Sequence, residues 1–230
     1  MITQTMINEA LRYIGMPNKA RSIEEVENKD LSLHHKVEEG FKYLEQIAYP
    51  RVIYQIVNIG LEQENVILQE TSCKIQSKDL VELLAHSNRC VLMAATLGME
   101  VDKQISLKQK IDMLDAVILD ACASVLIDKV CDEAEARIVE QLKANEFLTM
   151  RFSPGYGDVP LEASSELLDI LMATKKIGLS LTKSHMLVPT KSVTAIIGIS
   201  NQKENRQKSC GTCNLVKTCA YRKRGDQCGL

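Results

Sequence analysis

Four cysteines lie close together near the end of this 230-residue chain, Cys210, Cys213, Cys219 and Cys228. A C-x-x-C pair can present two thiolates to one metal ion, and two further cysteines complete four-coordination. Structural zinc sites usually come as two close pairs, and here only Cys210 and Cys213 are close. The spacing therefore favours an iron–sulfur cluster, with zinc as the alternative and disulfides or free redox thiols behind both. From Asn201 onward seven Lys/Arg face Glu204 and Asp226, a net charge of +5. Such a basic setting would raise a cluster's reduction potential or dock the segment on an acidic partner. Residues 201–230 thus read as a separate metal-binding tail, and 1–200 as the main domain.

A second constellation is Arg151-Phe152-Ser153-Pro154-Gly155-Tyr156. The Arg151 guanidinium is a planar fork suited to a carboxylate or phosphate. Pro154 stiffens the bend, and Gly155 allows a ligand close to the backbone. Tyr156 adds a ring that can lie against a base or a cation.

These residues need a scaffold, and the hydrophobic pattern outlines one. Helices are expected over Asn8–Ile14 and Ser32–Ala48, the latter with Val37, Phe41, Leu44 and Ile47 at helical spacing. Val52–Val57 and Val66–Ile75 read as an antiparallel pair linked through Gly60. Ser77 is placed to cap a helix running to His86. Cys90–Thr96 is a continuous apolar run, the mark of a strand buried on both faces. Ser106–Glu146 contains neither Pro nor Gly and reads as one long central helix, with Ile111, Leu114, Ile118, Cys122 and Val125 on a buried stripe. Arg151–Pro160 is a loop, Glu162–Met172 a helix and Val193–Ile199 a last strand. The irregular interleaving gives an α+β fold with an antiparallel or mixed sheet. Cys73, Cys90, Cys122 and Cys131 fall in apolar patterns and read as core thiols.

The Arg-x-x-x-Gly-Tyr-x-x-x-Pro loop, Arg151 to Pro160, resembles the S-adenosylmethionine-binding signature of the activation domain of cobalamin-dependent methionine synthase. A second stretch, Leu181-Thr182-Lys183-Ser184, Met186, Pro189 and Ser192-Val193-Thr194, is similar to that family's next conserved segment. The resemblance implies a free-standing domain that holds S-adenosylmethionine against a corrinoid carried by a partner methyltransferase or methionine synthase chain. An oxidised cobalt would there be reduced, with an electron donor protein, and remethylated. It further implies that Arg151 pairs with the methionyl carboxylate, that the backbone from Ser153 through Pro154 and Gly155 to Tyr156 holds adenine and ribose, and that Tyr156 packs near the sulfonium side. Ser153 stands where the family usually has Ala, and Val159 where it has Cys. No Asp-x-His-x-x-Gly motif accompanies His34, His35, His86 or His185, so cobalamin is not expected to be bound by a histidine of this chain. After Ile197, Gly198-Ile199-Ser200-Asn201 and the cysteine tail replace an aromatic and His-containing segment of the family.

Composition excludes several other classes. With 28 basic and 30 acidic side chains the net charge is −2, which offers no general nucleic-acid surface. Charged residues at 25% and a mean hydropathy near zero argue against disorder. The longest apolar stretch, Ala116–Ile127, is too short for a membrane span and carries Asp120. Met1–Tyr13 has no basic segment followed by an apolar block, so a cytoplasmic location is expected.

Overall fold

The computed structural model describes residues 2–15, 28–69, 71 and 73–203. The Cys210, Cys213, Cys219 and Cys228 quartet, and with it the tail over 201–230 beyond Lys203, lies outside the described residues. In chain order the elements are α1 (Gln4–Tyr13), α2 (Asn28–Ile47), β1 (Arg51–Glu62), β2 (Asn65–Leu68), β3 (Lys74–Gln76), α3 (Lys78–Leu83) and β4 (Ser87–Thr96). They continue with α4 (Met99–Ile111), α5 (Met113–Val139), β5 (Phe147–Leu148), α6 (Ala163–Leu171), α7 (Ala173–Ile177), β6 (Ser180–Leu181), β7 (Leu187–Val188) and β8 (Ser192–Ser200). The fold is α+β, and every strand pairing among the described residues is antiparallel.

The described chain forms two compact units. One takes the residues up to Tyr49 together with Met99–Asp128, and the other takes Pro50–Gly98 and Lys129 onward. The helical unit is built on α2, whose Val37, Phe41 and Leu44 are buried at the spacing read from the sequence. Gly40 lies on the same helix, and a Cβ there would stand 3.2 Å from Cys122 Sγ on α5. The missing methyl lets the two helices approach closely.

The long helix expected over Ser106–Glu146 is two helices, because the chain breaks at Asp112. The Asp112 Oδ1 accepts the backbone N–H of Leu114 at 2.8 Å and of Asp115 at 3.2 Å. A short carboxylate that bonds the backbone locally caps a new helix in place of continuing the old one. The first helix also begins earlier, at Met99, directly after Gly98 with its positive φ of 89°. The buried stripe is shorter than the pattern implies. Ile111 and Leu114 are 75% and 51% exposed, whereas Ile118, Cys122 and Val125 are buried. α5 still runs 27 residues, and its middle is buried on several sides.

The second unit holds a six-stranded sheet in the order β3-β2-β1-β4-β8-β5. β4 and β8 sit inside the sheet, and each ends in an unbroken buried run, as the Cys90–Thr96 composition required. Their register pairs Leu92 with Ile196 and Thr96 with Ser192. The stretch Val66–Ile75 is two strands separated by a turn, in which Thr71 Oγ1 donates to the Leu68 carbonyl and accepts from Cys73 N. The β1–β2 turn falls at Gln63–Glu64, and Gly60 is an ordinary strand residue opposite Ile67. Leu80, Leu83, Leu84, Leu167, Leu168 and Leu171 of α3, its C-terminal turn and α6 join Leu92 and Ile196 in one apolar core. Burying each such side chain contributes about 1.5–3 kcal/mol.

Cys73, Cys90, Cys122 and Cys131 are buried and form no disulfide, as their apolar settings indicated. Burial pushes the Cys73, Cys90 and Cys122 thiols up to about 12. No described helix is long and apolar enough to cross a membrane.

Candidate functional site

The Arg151–Tyr156 loop is fastened at its start to β8. Phe152 exchanges backbone hydrogen bonds with Ile196, donating at 3.0 Å and accepting at 2.8 Å. Three residues earlier along the same edge, Thr149 N donates to the Gly198 carbonyl, and Thr149 Oγ1 accepts from Gly198 N. A Cβ on Gly198 would collide with Ser87 Oγ, Leu84 and Thr149 at 2.6–2.8 Å, so this close approach depends on glycine. Pro154 is buried, the Tyr156 N–H closes on the Ser153 carbonyl at 2.9 Å, and Gly155 N bonds the Val159 carbonyl at 2.8 Å.

Gly155 adopts φ of 89°, and a Cβ there would meet the Leu161 side chain at 2.8 Å. Glycine is therefore required by the loop's own turn and packing. Gly157 is also left-handed, at φ 54°, and a Cβ would lie 2.1 Å from an Asp79 carboxylate oxygen. That crowding reflects the far anchor of the loop. The Asp158 carboxylate accepts the Ser77 hydroxyl, the Lys78 N–H at 2.8 Å and the Asp79 N–H at 3.3 Å. Ser77 in turn caps α3, as expected, by accepting from Leu80 N at 2.9 Å. Burial raises the Asp158 pKa, but the bonds from Ser77, Lys78 and Asp79 outweigh it and hold the carboxyl below its ordinary value. The loop is thus pinned at one end to a central strand and at the other to the N-terminus of a helix.

Arg151 stands at the entrance with only 12% of its side chain exposed. Its Nη1 lies 2.7 Å from Asp132 Oδ1 and 2.5 Å from Glu135 Oε1, both on α5. Burial disfavours the guanidinium charge, and the Glu135 and Asp132 carboxylates overcome this and hold the proton more firmly than usual. The fork expected to await a ligand carboxylate is therefore engaged with two internal ones. Tyr156 is 58% exposed, and its ring meets Phe152 edge-on at 6.2 Å. Ser153 is partly buried.

The second motif forms the β6–β7 hairpin and the start of β8. Thr182 Oγ1 accepts from Met186 N at 3.1 Å and lies 2.9 Å from Ser184 Oγ, which tightens the turn. His185 takes φ of 59° in that turn, and Met186 is 57% exposed. Ser192 Oγ lies 2.8 Å from Thr96 Oγ1 and 2.7 Å from the Pro189 carbonyl. β8 therefore carries both motifs, the hairpin entering at Ser192 and the loop pairing at Ile196. At about 3.4 Å per residue these points are roughly 14 Å apart. A polar cavity of about 540 Å³ opens elsewhere on this unit, between His86, Asn88, Lys143, Glu146 and Gln202. None of the loop residues lines it. Among the described residues, no group of three or more His, Cys, Asp or Glu is arranged to hold a metal ion.

An antiparallel sheet with helices packed on it, and a loop that pairs with β8 and is anchored again at α3, define a domain of α+β class. The chain belongs to the family described as "Vitamin B12 dependent methionine synthase, activation domain", which it matches over residues 61–226. Both motifs lie inside that range. Among solved structures it is similar to "Crystal Structure of the MetH Reactivation Domain bound to AdoHcy", with a TM-score of 0.65 at 14% identity. The similarity covers 87% of this chain and 77% of the other, and it shows a shared fold. No curated protein matches the chain.

Proposed function

We propose that this chain binds S-adenosylmethionine at the Arg151–Tyr156 loop and presents its methyl group to a corrinoid carried by a partner methionine synthase or related methyltransferase. The observation that carries this reading is the family match over residues 61–226, within which lies a loop fixed at both ends with a single guanidinium at its mouth. The neighbouring MetH structure has AdoHcy bound, the demethylated form of the same ligand. Arg151 would take the methionyl carboxylate, the backbone of Ser153, Pro154 and Gly155 would line the adenosine, and Tyr156 would offer its exposed ring near the sulfonium. A corrinoid held by the partner would supply the redox chemistry and the methyl-accepting centre. This chain's role is to hold the donor carbon in place, and effective molarity makes such placement worth several kcal/mol of barrier.

A second element of the reading is the tail over 201–230. Cys210, Cys213, Cys219 and Cys228 have the number and spacing to ligate an iron–sulfur cluster, or zinc in the alternative, and seven Lys/Arg surround them. A cluster would pass to the cobalt an electron from a donor protein, while zinc would make the tail an interaction module. Anaerobic purification decides between them. A brown protein that bleaches in Cys213→Ala supports the cluster, and a colourless one with a single zinc excludes it.

The whole function is tested by mixing the full chain with a corrinoid-loaded methionine synthase module, a low-potential reductant and methyl-labelled S-adenosylmethionine. Label should reach the corrinoid only when the chain is present, and the Arg151→Ala variant should abolish the transfer. Transfer at the same rate without the chain, or with Arg151→Ala, contradicts the proposal.

A further inference from the structure

The cavity beside His86 and Lys143 carries a charge and several donors that the Arg151–Tyr156 loop does not use. It opens by Ile199, toward the end of β8 opposite the hairpin, and its volume of about 540 Å³ suits a small molecule. The single carboxylate in its lining is already answered. Glu146 Oε1 accepts from Arg89 Nη2 at 2.7 Å, and Oε2 accepts the Lys143 N–H at 3.1 Å. The Lys143 N–H and the Arg89 guanidinium hold this carboxyl below its ordinary value. The Lys143 ammonium, by contrast, is exposed and has no hydrogen-bond or ion-pair partner among the described residues. The side chains of Asn88, Asn145 and Asn201 are likewise without a partner among the described residues. Ser87 also lines the cavity, and its buried Oγ has no hydrogen-bond partner.

An unanswered cation among neutral donors selects an anion. A lysine ammonium is a compact point charge suited to phosphate, and the guanidinium that could fork onto a carboxylate is spent on Glu146. The three asparagine amides both donate and accept, which matches hydroxyl groups on a carbon skeleton. Ala85 and Ile199 are the only apolar residues of the lining, so a flat aromatic ring would find little to lie against. We infer that this cavity is a second ligand site of the domain, for the phosphomonoester of a small sugar. Lys143 takes the phosphate, and Ser87, turned about χ1 into the cavity, donates to it and loses its unpartnered state. Asn88, Asn145 and Asn201 hold the sugar hydroxyls. The site is separate from the Arg151–Tyr156 loop, none of whose residues lines it.

The test titrates the full chain with ribose 5-phosphate, ribose and inorganic phosphate, each up to millimolar concentration. Ribose 5-phosphate should bind at one site per chain, more tightly than either fragment, and saturating S-adenosylmethionine should leave its affinity unchanged. Lys143→Ala should weaken it by about tenfold, the size of one hydrogen bond to a charged group, with thermal unfolding unaffected because the side chain is exposed. Ser87→Ala should weaken it by about fivefold while raising the melting temperature of the free chain, since a buried hydroxyl without a partner is removed. Absence of binding by ribose 5-phosphate, or unchanged affinity in Lys143→Ala, overturns the inference. Equal affinity for inorganic phosphate shows that no sugar is read, and competition by S-adenosylmethionine places both ligands at one site; either result overturns it as well. A chain that binds ribose 5-phosphate but not S-adenosylmethionine refutes the reading of the loop and leaves this one standing.

Discussion

Replacing Asp158 with alanine separates the loop from the helix that anchors it, and the cost follows from the bonds removed. Asp158 accepts the Ser77 hydroxyl and the N–H groups of Lys78 and Asp79, and these N–H groups belong to the first turn of α3. Losing a side-chain acceptor at a helix N-terminus costs about 1 kcal/mol. The negative charge at the positive end of the helix adds about 0.3–1 kcal/mol, at the low end because the carboxylate faces solvent. Ser77 keeps its bond from Leu80 N, so the helix survives and only its outer cap is lost. A total of about 1.5 kcal/mol lowers Tm by about 3–6 °C in a chain of this size. The Asp158 pKa is lowered in the folded protein, so the carboxylate stabilises the fold above its unfolded value of about 3.9 and loses that effect as pH falls. The gap between the parent chain and Asp158→Asn should therefore be full at pH 7 and close on acidification toward pH 3. Thermal unfolding followed by circular dichroism at several pH values measures both quantities. A Tm unchanged in Asp158→Ala, or a gap that widens on acidification, refutes the clamp.

Two further perturbations probe the same scaffold. Gly157→Ala should destabilise by more than 1 kcal/mol, because the site needs positive φ and the added carbon would overlap the Asp79 carboxylate; thermal unfolding checks this, and a rise in Tm would contradict it. Cys73, Cys90, Cys122 and Cys131 should remain unmodified by a thiol reagent at pH 8 in the native protein and react after urea unfolding, with sites assigned by mass spectrometry.

Local chemistry explains which features the sequence displayed. Ser77 announced its cap because a hydroxyl before an apolar-periodic segment acts within three residues. Cys90–Thr96 announced a central strand because nothing polar interrupts it. The break at Asp112 depended on one carboxylate choosing its own backbone, and helix propensity over a long window conceals such a choice. At the candidate site, the loop Arg151–Tyr156 was visible from its residue types, but its supports were not. Asp158 grips α3 across about 80 residues of chain, and the Asp132 and Glu135 partners of Arg151 become neighbours only when α5 and the loop are in place. Gly155 illustrates a role read from composition that packing then enlarged, since the Leu161 side chain fills the space a Cβ would need.

Isothermal titration of S-adenosylmethionine into the 230-residue chain addresses the central claim most directly. The account predicts saturable binding at one site per chain, lost in Arg151→Ala while that variant remains folded. Absence of heat together with an unshifted melting temperature at millimolar ligand, or undiminished binding in Arg151→Ala, would contradict it.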